Sequence, residues 1–558
     1  MGGCIAERRT RDYFRDMADV VREIERKYAA TDDTALPDLR VRGVASAVER
    51  GTVHLDATYF DTADGRLAAD GITLRRRTGG GDAGWHLKLP VEPGVRDEIR
   101  EPLGDEQADA EEAGGEAADA ATAAAGVPPA LAALVRSRVR DRPHIPVMRL
   151  RSERRVLHLL DDAGGLLAEV AVDRVHAQRL PEGGTADWTE IETELGEAGA
   201  GAPRLLDRIE KRLTAVGLRR ASAASKLERA LASTGEPDSD EAPVPDGSPG
   251  PTAGEHVLHY VRAQRDALVA LDPAVRRGVP DSVHRMRVAT RRLRSCLRSY
   301  RQVLDPAVTD PMRDELKWLA AELGIDRDQE VLTARLTRRL AELPDGLQPG
   351  PVRLAPVRAR LHAYAATRRV PATHGAAKHA LASHRTGATL TATLDSARHL
   401  ALLDALDALL REHPLRRKAA APAEEVTASA VTRDFDRLAA RVGHALAVSA
   451  GPERDLALHE ARKAAKRARY AAEAACPALG KRARRQAKRM TEVQELLGEH
   501  QDSVVARDAL ADMAREAHAA GEESFTYGLL YERERARAAE CERELPGLWR
   551  SVAAASPL

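Results

Sequence analysis

Val283-His284-Arg285-Met286-Arg287-Val288-Ala289-Thr290-Arg291-Arg292-Leu293-Arg294 has a second version in the same chain, Leu458-His459-Glu460-Ala461-Arg462-Lys463-Ala464-Ala465-Lys466-Arg467-Ala468-Arg469-Tyr470. Counted from the histidine, the first copy places His284, Arg287, Arg291, Arg294 and Arg298 at alternating steps of three and four. The second places His459, Arg462, Lys466 and Arg469 at the same steps, with Lys463 beside them. Such steps put side chains on one stripe of an α-helix. Val283, Met286, Leu293 and Leu297 give the first helix an apolar stripe as well, so it can pack into a bundle and still present its cationic groups. A single basic stripe is an ordinary solvated face. A duplicated one predicts paired surfaces built for a long polyanion.

The duplication extends beyond this helix. The segment Leu316 to Asp328 aligns with Met490 to Asp502, with an offset of 175 at the histidines (284 and 459) and 174 at the glycines (324 and 498). A near-constant offset across two helices predicts an all-α region over 255–550, made of two repeats at about 255–405 and 425–550. Each repeat is expected to be an up-down bundle of about four helices. Ahead of it, residues 233–254 are rich in Pro, Gly, Ser and Asp and read as a linker. Residues 1–18 carry four arginines and no apolar run, so they read as a disordered leader rather than a signal peptide.

Residues 19–232 read as short strands separated by turns, with helices at 128–140 and 204–216 and an acidic, Ala-rich insertion at 105–125 expected to be poorly ordered. Strand after strand carries charges on alternate positions: Glu23, Glu25 and Lys27; Arg75 and Arg77; His86 and Lys88; Arg96, Glu98 and Arg100; Glu169 and Asp173; Glu190, Glu192 and Glu194. The solvated face of an open sheet explains any one of these. Across all of them, with both signs at matched parity, the pattern predicts an antiparallel barrel covered outside and charged in its lumen. The expected fold is therefore α+β and multidomain, an eight-stranded β tunnel followed by duplicated four-helix bundles.

The 558 residues suit two or three domains. Net charge is zero, from 86 basic and 86 acidic residues, unlike a protein that coats nucleic acid, and the 3% of aromatics supply few faces for stacked bases. Cys4, Cys296, Cys476 and Cys541 form no Cys-x-x-Cys pair, which fits neither a disulfide framework nor a zinc site. No apolar run is long enough to span a membrane. A cytoplasmic protein is expected, with no membrane or nucleic-acid partner; no oligomeric state is implied.

A triphosphate carries about four negative charges near neutral pH and needs several converging Arg or Lys groups. Cleaving one usually requires Mg²⁺ or Mn²⁺ held by carboxylates. The strands offer both sets: Lys27, Arg75, Arg77, Lys88, Arg96, Arg151, Arg154 and Lys226 as cations, and Glu23, Glu25, Glu169, Asp173, Glu190, Glu192 and Glu194 as carboxylates. Strand parity leaves open which of the four arginines between 149 and 155 enter the lumen.

Glu23-Ile24-Glu25-Arg26-Lys27 resembles the ExExK opening of the CYTH family. Thr73 to Arg77, Leu87-Lys88-Leu89-Pro90, Glu190 to Leu195 and Ser225-Lys226-Leu227 resemble its later motifs in the same order, over residues 20–232. Arg96-Asp97-Glu98-Ile99-Arg100 departs from the family's more acidic version. The resemblance implies a triphosphate tunnel of about eight strands, in a family that includes thiamine- and inorganic triphosphatases and adenylate cyclases. Carried over, Glu23 and Glu25 bind metal with Glu190, Glu192 and Glu194 opposite. Arg75, Arg77, Lys88 and Lys226 hold phosphates, and Lys27 holds phosphate or orients the attacking water.

The duplicated helices resemble the CHAD family through His284, Arg287, Arg291, Arg292 and Arg294 and through His459, Arg462, Lys463, Lys466, Arg467 and Arg469. That resemblance implies two pseudo-symmetric bundles around a basic cavity that binds inorganic polyphosphate, and so association with polyphosphate granules. The expected function is hydrolysis of tripolyphosphate or a related triphosphate, fused to a polyphosphate-binding unit. A non-enzymatic polyphosphate binder and a nucleotide enzyme (a cyclase or a nucleoside triphosphatase) are the rivals.

Overall fold

The computed structural model describes residues 19–103, 126–181, 183–235, 251–343 and 387–555, together with 357, 359–361 and 364. The leader at 1–18, the insertion at 105–125 and most of the linker at 233–254 lie outside the described residues. The chain divides into two compact units, Met1–Val244 and Pro245–Leu558.

In the first unit eight strands close into an antiparallel barrel. They are β1 (Asp19–Ala30), β2 (Ser46–Asp61), β3 (Thr73–Thr78), β4 (Gly84–Glu92), β5 (Val95–Glu101), β6 (Ile145–Leu160), β7 (Leu166–Arg179) and β8 (Thr185–Leu195). Hydrogen-bonded neighbours run β5-β4-β3-β2-β6-β7-β8-β1, and β1 returns to pair with β5; β9 (Arg219–Arg220) adds a short edge to β1. Closure leaves two faces, one inside and one outside, and strand alternation assigns each residue to one of them.

The outward positions are apolar where a helix covers them. Tyr28, Val170 and Ile191 pack under α2 (Arg204–Ala215) through Leu205, Leu206, Ile209 and Leu213. Leu74, Trp85, Leu87 and Ile99 pack under α1 (Pro129–Val139) through Leu131, Leu134 and Val135. The inward positions therefore take the charges. A third helix, α3 (Lys226–Thr234), closes one end. Its Leu227 and Ala230 pack with Ala57, Tyr59, Met148, Leu150, Val175 and Ala177. The Ser225 hydroxyl accepts a hydrogen bond from the Glu228 N–H at 3.0 Å, capping α3 so that Lys226 starts its first turn.

The second unit is helical: α4 (Ala253–Arg276), α5 (Ser282–Ser299), α6 (Pro306–Glu322), α7 (Ile325–Ala341), α8 (Gly387–Asp395), α9 (Ala397–Glu412), α10 (Ala423–Ala447), α11 (Pro452–Ala474), α12 (Cys476–Ala519) and α13 (Phe525–Ala554). The basic stripes fall on α5 and α11. The repeats are not closed bundles, however. The apolar stripe Leu332, Leu336 and Leu340 of α7 packs with Ala509, Leu510, Met513 and Leu530 of α12 and α13, which belong to the other repeat. The repeats also differ in form: the first breaks between α6 and α7 at Gly324, whereas α12 runs unbroken through Gly498. Among the described residues no helix is long and apolar enough to cross a membrane.

Candidate active site and polyanion cleft

Eight basic and seven acidic side chains line a tunnel cavity of about 370 Å³ inside the barrel. Lys27, Arg75, Arg77, Lys88, Arg96, Arg154 and Lys226 all face it, joined by Arg100; Glu23, Glu25, Glu98, Glu169, Glu192, Glu194 and Asp82 are the acids.

The groups are tightly paired. Lys88 Nζ lies 2.6 Å from Glu23 Oε2 and 3.5 Å from Glu98 Oε1. Lys27 Nζ sits between Glu192 and Glu25, 3.1 Å from Glu25 Oε2. Burial works against the Lys27 ammonium, but Glu192 and Glu25 outweigh it and hold its pKa above the ordinary value. Lys27 is therefore a hydrogen-bond donor at neutral pH, not a base. Arg154 spans Asp173 at 2.7 Å and Glu192 at 2.5 Å. Lys226 Nζ reaches Asp173 at 2.9 Å, Glu190 at 3.0 Å and Glu192 at 2.5 Å. Arg77 pairs with Asp82, yet burial followed by Arg75 and Arg154 pushes its pKa down to about 9, so that part of the wall is electropositive.

Among the described residues of the barrel, one acidic group has the spacing of a metal site. One carboxylate oxygen each from Asp173, Glu190 and Glu192 lies within 4.8 Å of the others. Lys226 and Arg154 already bridge that group, and Asp173 and Glu190 lie behind the lining with 0% and 2% exposure. Glu23, Glu25 and Glu194 form a second acidic group that lines the cavity, with Lys88 paired to Glu23 and Lys27 to Glu25. Glu25 and Glu194 are register partners across β1 and β8. Burial, then Glu23, drives Glu194 up to about 7, and burial also raises Glu23. Crowded carboxylates of this kind gain from any cation that neutralises them.

Arg151 corrects the sequence reading. It is 57% exposed and pairs at 3.4 Å with Asp56 on the outer face, while Arg154 turns inward. Residues three apart on a strand point to opposite faces, so the two could not share the lumen. The phosphate-ligand candidates read from sequence left out Arg100, which was placed only among the alternating charges, and Tyr59. Arg100 Nε donates to Glu98 at 2.5 Å, and Arg75 Nη1 donates to the Tyr59 hydroxyl at 3.3 Å. Arg100 has the same strand parity as Arg96 and Glu98 and was readable on that ground; Tyr59 carried no such signal.

In the helical unit α5 and α11 face one another across a cavity of about 830 Å³. His284, Arg287, Arg291, Arg294 and Arg298 line it from the first repeat, and His459, Arg462, Lys463 and Lys466 from the second. Sequence reading missed Arg313 and Lys317, one turn apart on α6, and Arg335 on α7; with Arg467 of α11 they bring the arginines and lysines among the described lining residues to eleven, against the carboxylates of Asp314 and Asp502. His459 Nδ1 meets Gln501 Oε1 at 2.6 Å, and burial together with Lys463 lowers its pKa. Burial, then Arg462 and Arg291, pushes Lys466 down to about 6.

Arg469 is the second correction. It does not line the cleft but pairs with Glu473 at 3.2 Å and stacks over the Tyr470 ring at 4.7 Å. Glu473 stands where the first repeat has Arg298, 14 residues after the histidine in each copy (284 to 298, 459 to 473). A carboxylate at that place captures the arginine that an arginine would have repelled.

Residues 21–229 match the CYTH domain and residues 259–511 the CHAD domain. Over 548 residues, 95% of this chain and 96% of the relative, the sequence is 38% identical to Mycobacterium tuberculosis MT2285 (strain CDC 1551 / Oshkosh) and likewise to Rv2226 (strain H37Rv). Similar solved structures include PptA from Streptomyces chartreusis, at 24% identity and a TM-score of 0.43, covering 54% of this chain and 99% of that one. Another is the CHAD domain from the plant Ricinus communis, at 23% identity and a TM-score of 0.41, covering 57% and 99%. Closed barrel, charged lumen and duplicated basic helices together define a triphosphate tunnel protein with a helical extension. The chain belongs to the CYTH–CHAD family, with its CYTH domain first and its CHAD domain second.

Proposed function

We propose that the barrel is a divalent-metal-dependent triphosphatase acting on inorganic tripolyphosphate or a related triphosphate, and that the helical unit binds polyphosphate. The observation that carries the reading is the charge balance of the tunnel. Eight basic against seven acidic groups leave the lumen close to neutral, so a triphosphate of about four negative charges must arrive with cations.

Bound at Glu23, Glu25 and Glu194, Mg²⁺ or Mn²⁺ would neutralise phosphoryl oxygens and polarise the terminal phosphorus. The chain's own groups do the rest. Arg75, Arg77, Lys88 and Arg96 reach the lumen from three strands and fix the phosphates in line. Lys27, kept protonated, donates to a water or to the terminal phosphate. Glu25, which Lys27 holds below the ordinary carboxylate range against the pull of burial, orients that water as an acceptor. Arg154 and Lys226 hold Asp173 and Glu192 in place and so keep the wall rigid. The helical unit, covalently joined, raises the concentration of phosphate chains near the barrel.

Purified full-length protein with Mg²⁺ or Mn²⁺ is expected to release orthophosphate from tripolyphosphate. Glu25→Ala is expected to lower the rate by about 10²-fold or more. No release, or a Glu25→Ala rate equal to wild type, removes the triphosphatase reading. Faster turnover of ATP or thiamine triphosphate, measured in parallel, moves the substrate to that compound.

A further inference from the structure

Beyond Arg298 the cleft meets a second, smaller cavity of about 290 Å³. Six arginines converge on it: Arg298 from α5, Arg301 just after it, Arg313 from α6, Arg433 and Arg437 from α10, and Arg467 from α11. Arg298, Arg313 and Arg467 line both cavities, so the two adjoin.

Two carboxylates are shared among these arginines. Asp310 pairs with Arg301 at 2.8 Å and with Arg313. Asp434 pairs with Arg437 at 2.6 Å and Arg467 at 2.7 Å. Arg433 donates to the Ser299 carbonyl at 2.8 Å. Six guanidiniums against two carboxylates leave an excess of four positive charges. Burial, then Arg313 and Arg437, holds the Arg298 pKa below its ordinary value, and burial likewise pushes Arg467 down to about 10. Like charges gathered out of water are costly until an anion joins them.

The repeat-related end of the cleft is built differently. There Glu473 replaces Arg298 and holds Arg292 at 2.9 Å and Arg469 at 3.2 Å. The cleft therefore adjoins an arginine cavity on the Arg298 side, while the repeat-related position carries a carboxylate paired with two arginines.

We propose that the arginine cavity is a second phosphate subsite that extends the cleft at one end only. A polyphosphate too long for the cleft passes Arg298 and seats its further phosphates among Arg301, Arg313, Arg433 and Arg437. The helical unit thus holds long chains beyond one side of the cleft and binds them more tightly than short ones. This rests on the polyphosphate reading of that unit.

The test uses the full chain, a fluorescently labelled long-chain polyphosphate, and unlabelled competitors of graded length. The double variant Arg301→Gln/Arg437→Gln removes two cavity arginines that do not line the cleft. Their side chains are 51% and 40% exposed, and Asp310 and Asp434 keep Arg313 and Arg467 as partners. Long-chain affinity is expected to fall about tenfold, with the slope of log affinity against log salt shallower by about 1.4. Short chains are expected to compete within about twofold of wild type. Arg301→Gln alone, at a half-exposed position, should give a partial version of the same split. Unchanged long-chain affinity and salt slope, or an equal loss for short and long chains, overturns the subsite. If wild type binds no polyphosphate, the polyphosphate reading itself fails and the subsite with it.

Discussion

At the scale of single residues, Lys466 couples the cleft to pH. Its ammonium is buried among Arg462, Arg291 and Arg287, and its pKa falls to about 6 from an ordinary value of 10.5. A polyanion in the cleft reverses the sign of that neighbourhood and raises the pKa, so binding takes up a proton above pH 6. Affinity for polyphosphate is then expected to rise as pH drops from about 8 towards 6, by at most about tenfold per unit, and to level off below 6. Calorimetry at pH 7.5 in two buffers of different ionisation heat should register the uptake, and Lys466→Arg should reduce it to the share of His284 and His459. Uptake unchanged in the variant would assign the proton elsewhere. For folding the sign is the same group read differently. The unfolded chain holds this proton up to about pH 10.5 and the folded chain only to about 6, so stability rises with pH across that window. Residue identity was mostly legible in advance, because strand parity and helical steps sort side chains by face. Arg151 and Arg469 show the limit. Parity excluded Arg151 from the lumen once Arg154 was inside, but nothing in the sequence said which of the two entered. Arg469 has the right helical angle and is turned aside by one carboxylate, Glu473, a turn further along the same helix.

At the scale of elements, the repeats share a sequence pattern and diverge at their glycines. A Cβ on Gly324 would lie 2.7 Å from Arg287 Nη2 and 2.9 Å from its Cζ, whereas one on Gly498 would meet Arg462 Nη2 at 3.5 Å, an ordinary contact. Gly324→Ala is therefore expected to displace the Arg287 guanidinium from the cleft. Polyphosphate binding should weaken several-fold while the thermal midpoint stays near wild type, since a flexible side chain can move aside. Gly498→Ala, within the regular part of α12 that follows its kink at Gly480, should instead stabilise by about 0.5–1 kcal/mol and leave binding unchanged. Thermal unfolding and a binding isotherm on the two variants separate these outcomes; equal effects at both glycines would mean that the close approach of Arg287 has no part in binding. The offset alignment made the basic helices and their glycines visible. It did not reveal that α7 packs against α12 and α13. Leu332, Leu336 and Leu340 show an apolar stripe, but a stripe states only that a face is buried, not which core receives it.

At the scale of the molecule, a net charge of zero conceals a division. Met1–Val244 holds 35 basic and 45 acidic residues, and Pro245–Leu558 holds 51 and 41, so a unit of −10 is joined to one of +10. The two cavities differ in the same sense: among the described residues, a balanced tunnel, and a cleft lined by eleven arginines and lysines against two carboxylates. Their responses to salt should therefore separate within one chain. A phosphate chain that displaces counterions at about five cleft contacts gives a log–log slope near −3.5, a loss of roughly 10²-fold in affinity between 50 and 200 mM salt. Tripolyphosphate entering the tunnel with its metal adds little net charge to that lumen, and its KM at constant free metal should change by no more than a few-fold over the same range. Measuring long-chain binding and tripolyphosphate turnover in parallel at the two salt concentrations compares both sites under one set of conditions. A change of less than about twofold in long-chain affinity would contradict counterion release as the driving force. A steep rise in KM would mean that the tunnel takes its substrate as a bare polyanion, and that its carboxylates have another purpose than to carry the cation in with it.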